Sequence, residues 1–267
     1  MDTFIANKML DQINTNAYNF YVENGYVILS EFLDQTTVTK IRYVLANLSK
    51  LELENNKAHT YGNNLQRIWN LLNKDLIFHE ILLYKQLDLW MNAIFNRDTT
   101  HQKYYLSSYQ ANILHPGARK QILHVDTPIP EPIPPFPIKA NCIVAIDQFT
   151  DNNGATEIIP KSHLNNLKPE RNPNSDLENK LIKVLLPSGS LLITNGNLWH
   201  RSSDNNSKNS RHALLISFAA SYAREIACED DTVRFLSPNV KKIIDPKIFE
   251  IIGGNHGIKN GNDYSLI

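Results

Sequence analysis

The sequence predicts a mainly β chain with helical additions, a sandwich or a barrel, and three observations carry that reading. From about Tyr104, runs of strand-like composition succeed one another with no long helix between them: YYLSSYQANIL, KQILHVD, ANCIVAIDQF, TEIIP, LIKVLLP, GSLLITNG, LWHRS and RHALLISFAASY. Turn clusters separate them, HPGAR, TDNNGA, KPERNPNS and SDNNSKNS. Helical periodicity, by contrast, is confined to the two flanks of this block.

On the N-terminal flank, Gly25 to Ser30 (GYVILS) is a β-branched and aromatic run after a turn glycine, and it predicts one strand. Asp34 to Thr37 then offer helix-capping groups, and Val38, Ile41, Leu45 and Leu48 recur at helical spacing. Asn55 to Asn64 is polar and reads as a loop. A second helical pattern spans His79 to Phe95, with Ile81, Leu82, Tyr84, Trp90, Met91 and Ile94. Inside the β block, Pro128 to Pro137 holds six prolines in ten residues, which forbids a central strand and predicts a stiff extended connection. On the C-terminal flank, Pro238 to Ile252 is helical in pattern, broken or restarted at Pro246. No internal repeat or linker divides the chain. The expectation is a single domain over 1–267, with 1–100 as helical support, 104–223 as the β core and 224–267 as an extension.

Composition narrows the function classes. Lys plus Arg and Asp plus Glu number 27 each, so nothing points to nucleic acid or an anionic membrane surface. The hydrophobic fraction of 42% suits an ordinary globular protein, and no apolar run is long enough to span a bilayer. Cys142 and Cys228 make no disulfide framework, and MDTFIANKMLDQ lacks the pattern of a secretory signal. A cytoplasmic protein, monomer or homodimer, acting on a small molecule is expected.

QILHVDTPIP sets His124 and Asp126 one residue apart. On a strand they share one face, with Leu123 and Val125 on the other. The pair is either two legs of a metal site or a histidine oriented by a carboxylate with no metal at all. GSLLITNGNLWHRSS adds His200 after another strand and turn. Two ligands from one strand and a third from a distant one make a two-histidine, one-carboxylate facial triad, which leaves coordination positions open.

Arg211 heads the last strand, on the face of Ala213, Leu215 and Ser217. It is either an edge arginine, half exposed, or a buried guanidinium that needs a planar anionic partner. Beside a facial metal that partner becomes a dicarboxylate. 2-Oxoglutarate would chelate iron through its C1 carboxylate and C2 ketone, while its C5 carboxylate meets Arg211 in a fork. Ser202, two residues after His200, could add a hydroxyl.

Taken in order, these segments resemble the phytanoyl-CoA dioxygenase family of iron(II)- and 2-oxoglutarate-dependent oxygenases. NGYVILSEFLDQTTVTKIRYVL is similar to the family's N-terminal strand and helix, and LHVD to its HxD. TDNNGATEIIPKSH is similar to its loop-strand signature, which usually ends in proline-glycine-serine-histidine; here Lys161 replaces the glycine. WHRSSDNNSKNSRHALLISF matches the distal histidine, the serine two positions on and the cosubstrate arginine. The resemblance covers nearly the whole chain. It implies a double-stranded β-helix (a cupin-like jelly roll) with N- and C-terminal helical additions and the site in its mouth. It carries over His124, Asp126 and His200 as iron ligands, and Arg211 with Ser202 as the 2-oxoglutarate clamp. Thr156 and Asn112 follow as cosubstrate neighbours. His163 is expected to fasten its loop, His115 to sit in a turn, Trp199 to pack, and Tyr109 to belong to the core.

The implied reaction consumes dioxygen and 2-oxoglutarate and hydroxylates an amino acid, a compatible solute or a natural-product intermediate. Iron carries the hard chemistry while the protein binds, orients and shields. Halogenating relatives carry a small residue at the HxD carboxylate, so Asp126 favours oxygen insertion or hydrogen removal. The rivals are a desaturase or epoxidase of the same cofactor class, a metal-dependent isomerase or lyase on a similar barrel, and a non-catalytic module. Two segments are candidate walls or lids, Thr127 to Ala140 and Asn55 to Leu65.

Overall fold

The computed structural model describes residues 2–5, 12–61, 64–95, 104–170, 175–223 and 235–253. Eleven strands among these residues form two sheets. The longest, β5 (Tyr104–Leu114) and β11 (Arg211–Ala220), pair antiparallel along their whole length, with one bulge between Ser217 and Phe218. β6 (Lys139–Ala145) lies on the other side of β11, then β9 (Leu191–Asn195), then β2 (Tyr26–Ser30). β1 (Thr3–Ile5) closes that edge in parallel with β2. The hairpin β3 (His59–Tyr61) and β4 (Leu65–Ile68) extends the opposite edge beyond β5. The smaller sheet has the order β10 (His200–Ser202), β7 (Thr156–Ile158) and β8 (Ile182–Val184), all antiparallel.

The large sheet is buried on both faces, which is why its strands read as near-continuous apolar runs. Alternate residues divide between two cores. Val27, Leu106, Cys142, Val144, Ile193 and Ile216 face the helices, packing with Val38, Ile41, Phe78 and Trp90. Ile28, Ile143, Ala145, Leu192 and Ala213 face the small sheet, meeting Ile158, Val184, Leu186 and Leu198. Each fully buried Leu or Ile contributes about 1.5–3 kcal/mol. The second core is the floor of the jelly roll, and the site lies above it.

Helices cover the outer face for reasons visible in their ends. Asp34 caps the helix Gln35–Glu54 by accepting from the Thr37 backbone N–H at 2.8 Å. Gly25 ends the helix Thr15–Asn24 at φ 81, and a Cβ there would lie 2.5 Å from His163 Nδ1. The expected helix over 79–95 is two helices, Ile77–Leu82 and Lys85–Ile94, with a break at Leu83 and Tyr84. Pro246 restarts the C-terminal pattern as expected, since Pro238–Ile243 ends before it and Asp245 caps Pro246–Ile251. Much of the extension expected over 224–267, Cys228 included, lies outside the described residues. No helix of the described residues is long and apolar enough to cross a membrane.

Two expectations are corrected. The N-terminal hundred residues supply four strands to the large sheet instead of one, and the supposed loop 55–64 contains β3. KQILHVD, expected as a strand, makes only one isolated bridge, between His124 and His200. The segment follows β10 irregularly. Gln121 N–H donates to Ser202 C=O at 3.0 Å, one residue out of register with the His124–His200 pair.

Candidate active site

His124 and His200 face each other across that bridge, with ring centroids 4.4 Å apart. His124 Nδ1 lies 2.7 Å from Ile122 C=O, and His200 Nδ1 lies 2.9 Å from Leu198 C=O. A carbonyl only accepts, so each Nδ1 carries a proton and each Nε2 is turned toward Asp126. His200 Nε2 is 3.2 Å from Asp126 Oδ2, and His124 Nε2 is 3.6 Å from Asp126 Oδ1. One ligand atom from each residue lies within 4.8 Å of the others. Two imidazoles held through Nδ1 by backbone carbonyls, with one carboxylate, are a donor set that suits a facial ferrous ion.

Asp126 sits past the bridge and is held by other means. Its backbone N–H and that of Thr127 both donate to Gly196 C=O, at 2.9 and 3.1 Å. Asn141 Nδ2 donates to its Oδ2 at 2.5 Å. Burial alone would raise the Asp126 pKa, but the neighbouring His200 and His124 hold the carboxyl well below the usual carboxylate range. Burial and the second imidazole lower the His124 pKa, whereas Asp126 overcomes burial at His200 and raises it. A metal ion would displace this arrangement, because it requires both imidazoles neutral and replaces the proton as the counter-charge.

These three residues line a cavity of about 440 Å³ between the sheets. Arg211, Ser202, Thr156 and Asn112 line the same cavity, so every site residue expected from the sequence borders one space. Arg211 is buried, its Nη2 donates to Gly154 C=O at 2.6 Å, and its guanidinium stacks over Phe149 at 4.1 Å. Burial lowers its pKa to about 10, opposed by the charge of Asp147. Its Nε has no hydrogen-bond partner among the described residues. A buried guanidinium with an unfilled donor is chemically suited to meet a carboxylate, which makes Arg211 a candidate for that role. The TDNNGA turn serves this arginine, since Asn153 Oδ1 accepts from Thr150 N–H at 2.8 Å and Gly154, at φ 82, presents its carbonyl.

His163, His115 and Tyr109 take the places expected, and Trp199 is only partly buried. His163 fastens its loop through Nε2 and Val22 C=O, and His115 joins Ser210 and Gln66 beside a turn. Trp199 Nε1 donates to Leu167 C=O, and Tyr109 is fully buried with its hydroxyl on Phe78 C=O. Arg201 is consumed by Glu157 and Glu178, and Arg119 is exposed beside Asp204.

Sequence reasoning missed Arg67, Trp69, Gln110 and Gln121, all of which line the cavity. Arg67 pairs in register with Asn112, places its guanidinium over the Tyr61 and Trp69 rings, and lowers the His124 pKa through its charge. Gln121 Oε1 accepts from the Ser202 N–H at 3.0 Å. The missed signal was the alternation Leu65, Arg67, Trp69, which puts a cation and an aromatic ring on one face.

A two-sheet β fold closing over two histidines, one carboxylate and a buried arginine defines the class: a double-stranded β-helix built as a mononuclear iron oxygenase. The chain belongs to the phytanoyl-CoA dioxygenase family, whose profile, Phytanoyl-CoA dioxygenase (PhyH), matches residues 21–213. It is accordingly an oxidoreductase, a dioxygenase that uses iron and 2-oxoglutarate. Among curated relatives, Dioxygenase andF of Emericella variicolor is 27% identical over 240 residues, covering 83% of this chain and 81% of its own. Dioxygenase trt7 of Aspergillus terreus is 24% identical over 243 residues, covering 83% and 80%. Among solved structures, HygX from Streptomyces hygroscopicus with nickel and 2-oxoglutarate bound superposes with a TM-score of 0.63 at 13% identity, over 79% of this chain and 88% of that one. The non-heme alpha ketoglutarate dependent carbocyclase SnoK from nogalamycin biosynthesis gives 0.62 at 16% identity, over 78% and 84%. At such identities these structures carry the fold.

Proposed function

We propose that this dioxygenase hydroxylates a small or medium organic metabolite, with His124, Asp126 and His200 as the iron ligands. The observation that carries the reading is the convergence of those three side chains on the cavity that also receives Arg211. Iron held there would supply the oxidising chemistry, dioxygen giving one oxygen atom to 2-oxoglutarate as it becomes succinate and carbon dioxide and the other to the substrate. Arg211, with the Ser202 hydroxyl, takes the C5 carboxylate in a fork. Thr156 and Asn112 line the cosubstrate's path. Arg67 adds a second cation to the cavity, and its Nε has no hydrogen-bond partner among the described residues, so it could meet a further carboxylate of the cosubstrate or substrate.

Of the two candidate walls, Asn55 to Leu65 borders the cavity through Tyr61 and Leu65, so it is the segment placed to limit water, whereas no residue of Thr127 to Ala140 lines that space. The chain would act as one catalytic unit in the cytoplasm, its core at 104–223 flanked by both terminal regions. Desaturation, epoxidation or ring closure is the second reading, open to the same iron and 2-oxoglutarate chemistry; SnoK, whose fold this chain shares, is a carbocyclase.

A succinate-release screen with iron, ascorbate and 2-oxoglutarate across a metabolite library, followed by mass spectrometry, tests the proposal. One compound gaining a single oxygen supports hydroxylation once NMR of the product shows a new hydroxyl and no epoxide. Loss of two hydrogens moves the reading to desaturation or ring closure, and absence of succinate with every compound counts against the assignment.

A further inference from the structure

We propose that Asn141, backed by Ser217, is a positioning residue that fixes the Asp126 carboxylate so that it offers a metal ion a single oxygen. The proposal rests on the metal-site reading above. Asn141 Nδ2 donates to Asp126 Oδ2 at 2.5 Å, and Ser217 Oγ donates to Asn141 Oδ1 at 2.6 Å. Both relay residues are buried, and both line the cavity. They are direct cross-strand partners, Asn141 on β6 opposite Ser217 on β11.

The relay matters because regular structure does not orient Asp126. Its segment bridges β10 only at His124, so sheet register stops two residues before the carboxylate. The main chain is pinned by Gly196, but that leaves both side-chain torsions of Asp126 free. Asn141 donates to Oδ2, which also lies 3.2 Å from His200 Nε2, so amide and imidazole together fix the carboxylate with Oδ1 beside His124 Nε2 at 3.6 Å. Ser217 fixes the amide in turn. A hydroxyl donating to Oδ1 of Asn141 forces the NH₂ toward Asp126, since the flipped amide would set oxygen against carboxylate. A carboxylate tied through one oxygen occupies one coordination position, so the open positions of the facial set stay open. Partners of this kind alter metal affinity about 10–100-fold when removed.

The test uses Co(II) as a probe with the full-length chain, reading affinity by titration and coordination by the visible d–d spectrum. Asn141→Ala should weaken Co(II) binding by about 10–100-fold and change the spectrum as the carboxylate turns. Ser217→Ala leaves the amide in place and should give a smaller loss of the same sign, and it decides the matter if Asn141→Ala fails to fold. Parent-like affinity and spectrum in these variants would overturn the relay. His124→Ala is the separate control. If it binds Co(II) as the parent does, the metal assignment itself fails and takes the relay with it.

Discussion

His124 and His200 exchange both of their backbone hydrogen bonds, at 3.1 and 3.0 Å, so the main chain holds the two imidazoles together without help from either ring. Replacing a ring therefore removes a ligand and leaves the bridge. His124→Ala and His200→Ala should each abolish succinate release; His124→Ala should cost about 0.5–1.5 kcal/mol of stability for the lost Nδ1 hydrogen bond, and His200→Ala more, because it also removes the nearest partner of the Asp126 carboxylate. Thermal melts beside activity assays check this. Turnover at parental rates in both variants would move the metal elsewhere.

Arg211 is tested through its fork. Arg211→Lys keeps charge but loses two-point geometry, so a higher apparent requirement for 2-oxoglutarate is expected. Arg211→Ala leaves a buried carboxylate unpaired in the complex, which costs about 2–5 kcal/mol, or about 30-fold or more in Kd. Calorimetry with 2-oxoglutarate distinguishes the cases. An unchanged affinity would transfer the clamp to Arg67, because Arg201 is already bound to two glutamates and Arg119 is exposed.

Asp147 links acid stability to the same arginine. Burial would raise its pKa, but His212, through Nδ1 at 2.6 Å and its backbone N–H at 2.8 Å, and Arg42, at 2.7 Å, bring it down to about 2. The unfolded value is about 3.9. A group depressed in the folded state stabilises above its unfolded pKa, and that stability drains away as pH falls from about 4 toward 2. Asp147→Asn should lower the pH 7 stability by about 2–3 kcal/mol and flatten its fall in that acid window. Urea melts at pH 7, 4 and 3 would show it. A variant as acid-sensitive as the parent would exclude Asp147 as the source.

What the sequence made legible follows from length and period. β5 and β11 are long and each carries one continuous apolar face, so β5 was readable to the residue and β11 to within two residues of its end. β3 and β4 were not, because they are three and four residues long and mostly polar. Arg67 escaped notice because its role depends on standing opposite Asn112, a pairing between segments far apart in the chain. The HxD pair was legible for a reason only partly right. Alternation on a strand was expected to align His124 with Asp126, but the strand is a single bridge and Gly196 and Asn141 do the aligning. The substituted glycine of the signature is also explained. Lys161 stands at φ 66, in the left-handed region that glycine enters without cost, and pairs with Glu23 at 2.6 Å.

Gly196 offers the last prediction, since it receives both N–H groups that anchor the Asp126 main chain. A Cβ at this position would lie 2.7 Å from Lys139 Cβ, 2.9 Å from Lys139 C=O and 2.9 Å from Thr127 Oγ1. Two of those neighbours are pinned. Lys139 C=O already accepts from Gly196 N–H at 2.9 Å, and Thr127 Oγ1 donates to Asn197 Oδ1 at 2.5 Å. The methyl group of Gly196→Ala must therefore push the loop itself, and overpacking of this kind costs about 1–3 kcal/mol. The displaced carbonyl would carry Asp126 away from His124 and His200, so Co(II) affinity should fall together with the melting temperature. Arg211 lies on another strand, and the variant's metal-independent contacts to 2-oxoglutarate should persist. A variant that loses stability yet binds Co(II) with parental affinity would show that Asp126 is placed by Asn141 alone and that the Gly196 carbonyl is dispensable to the site.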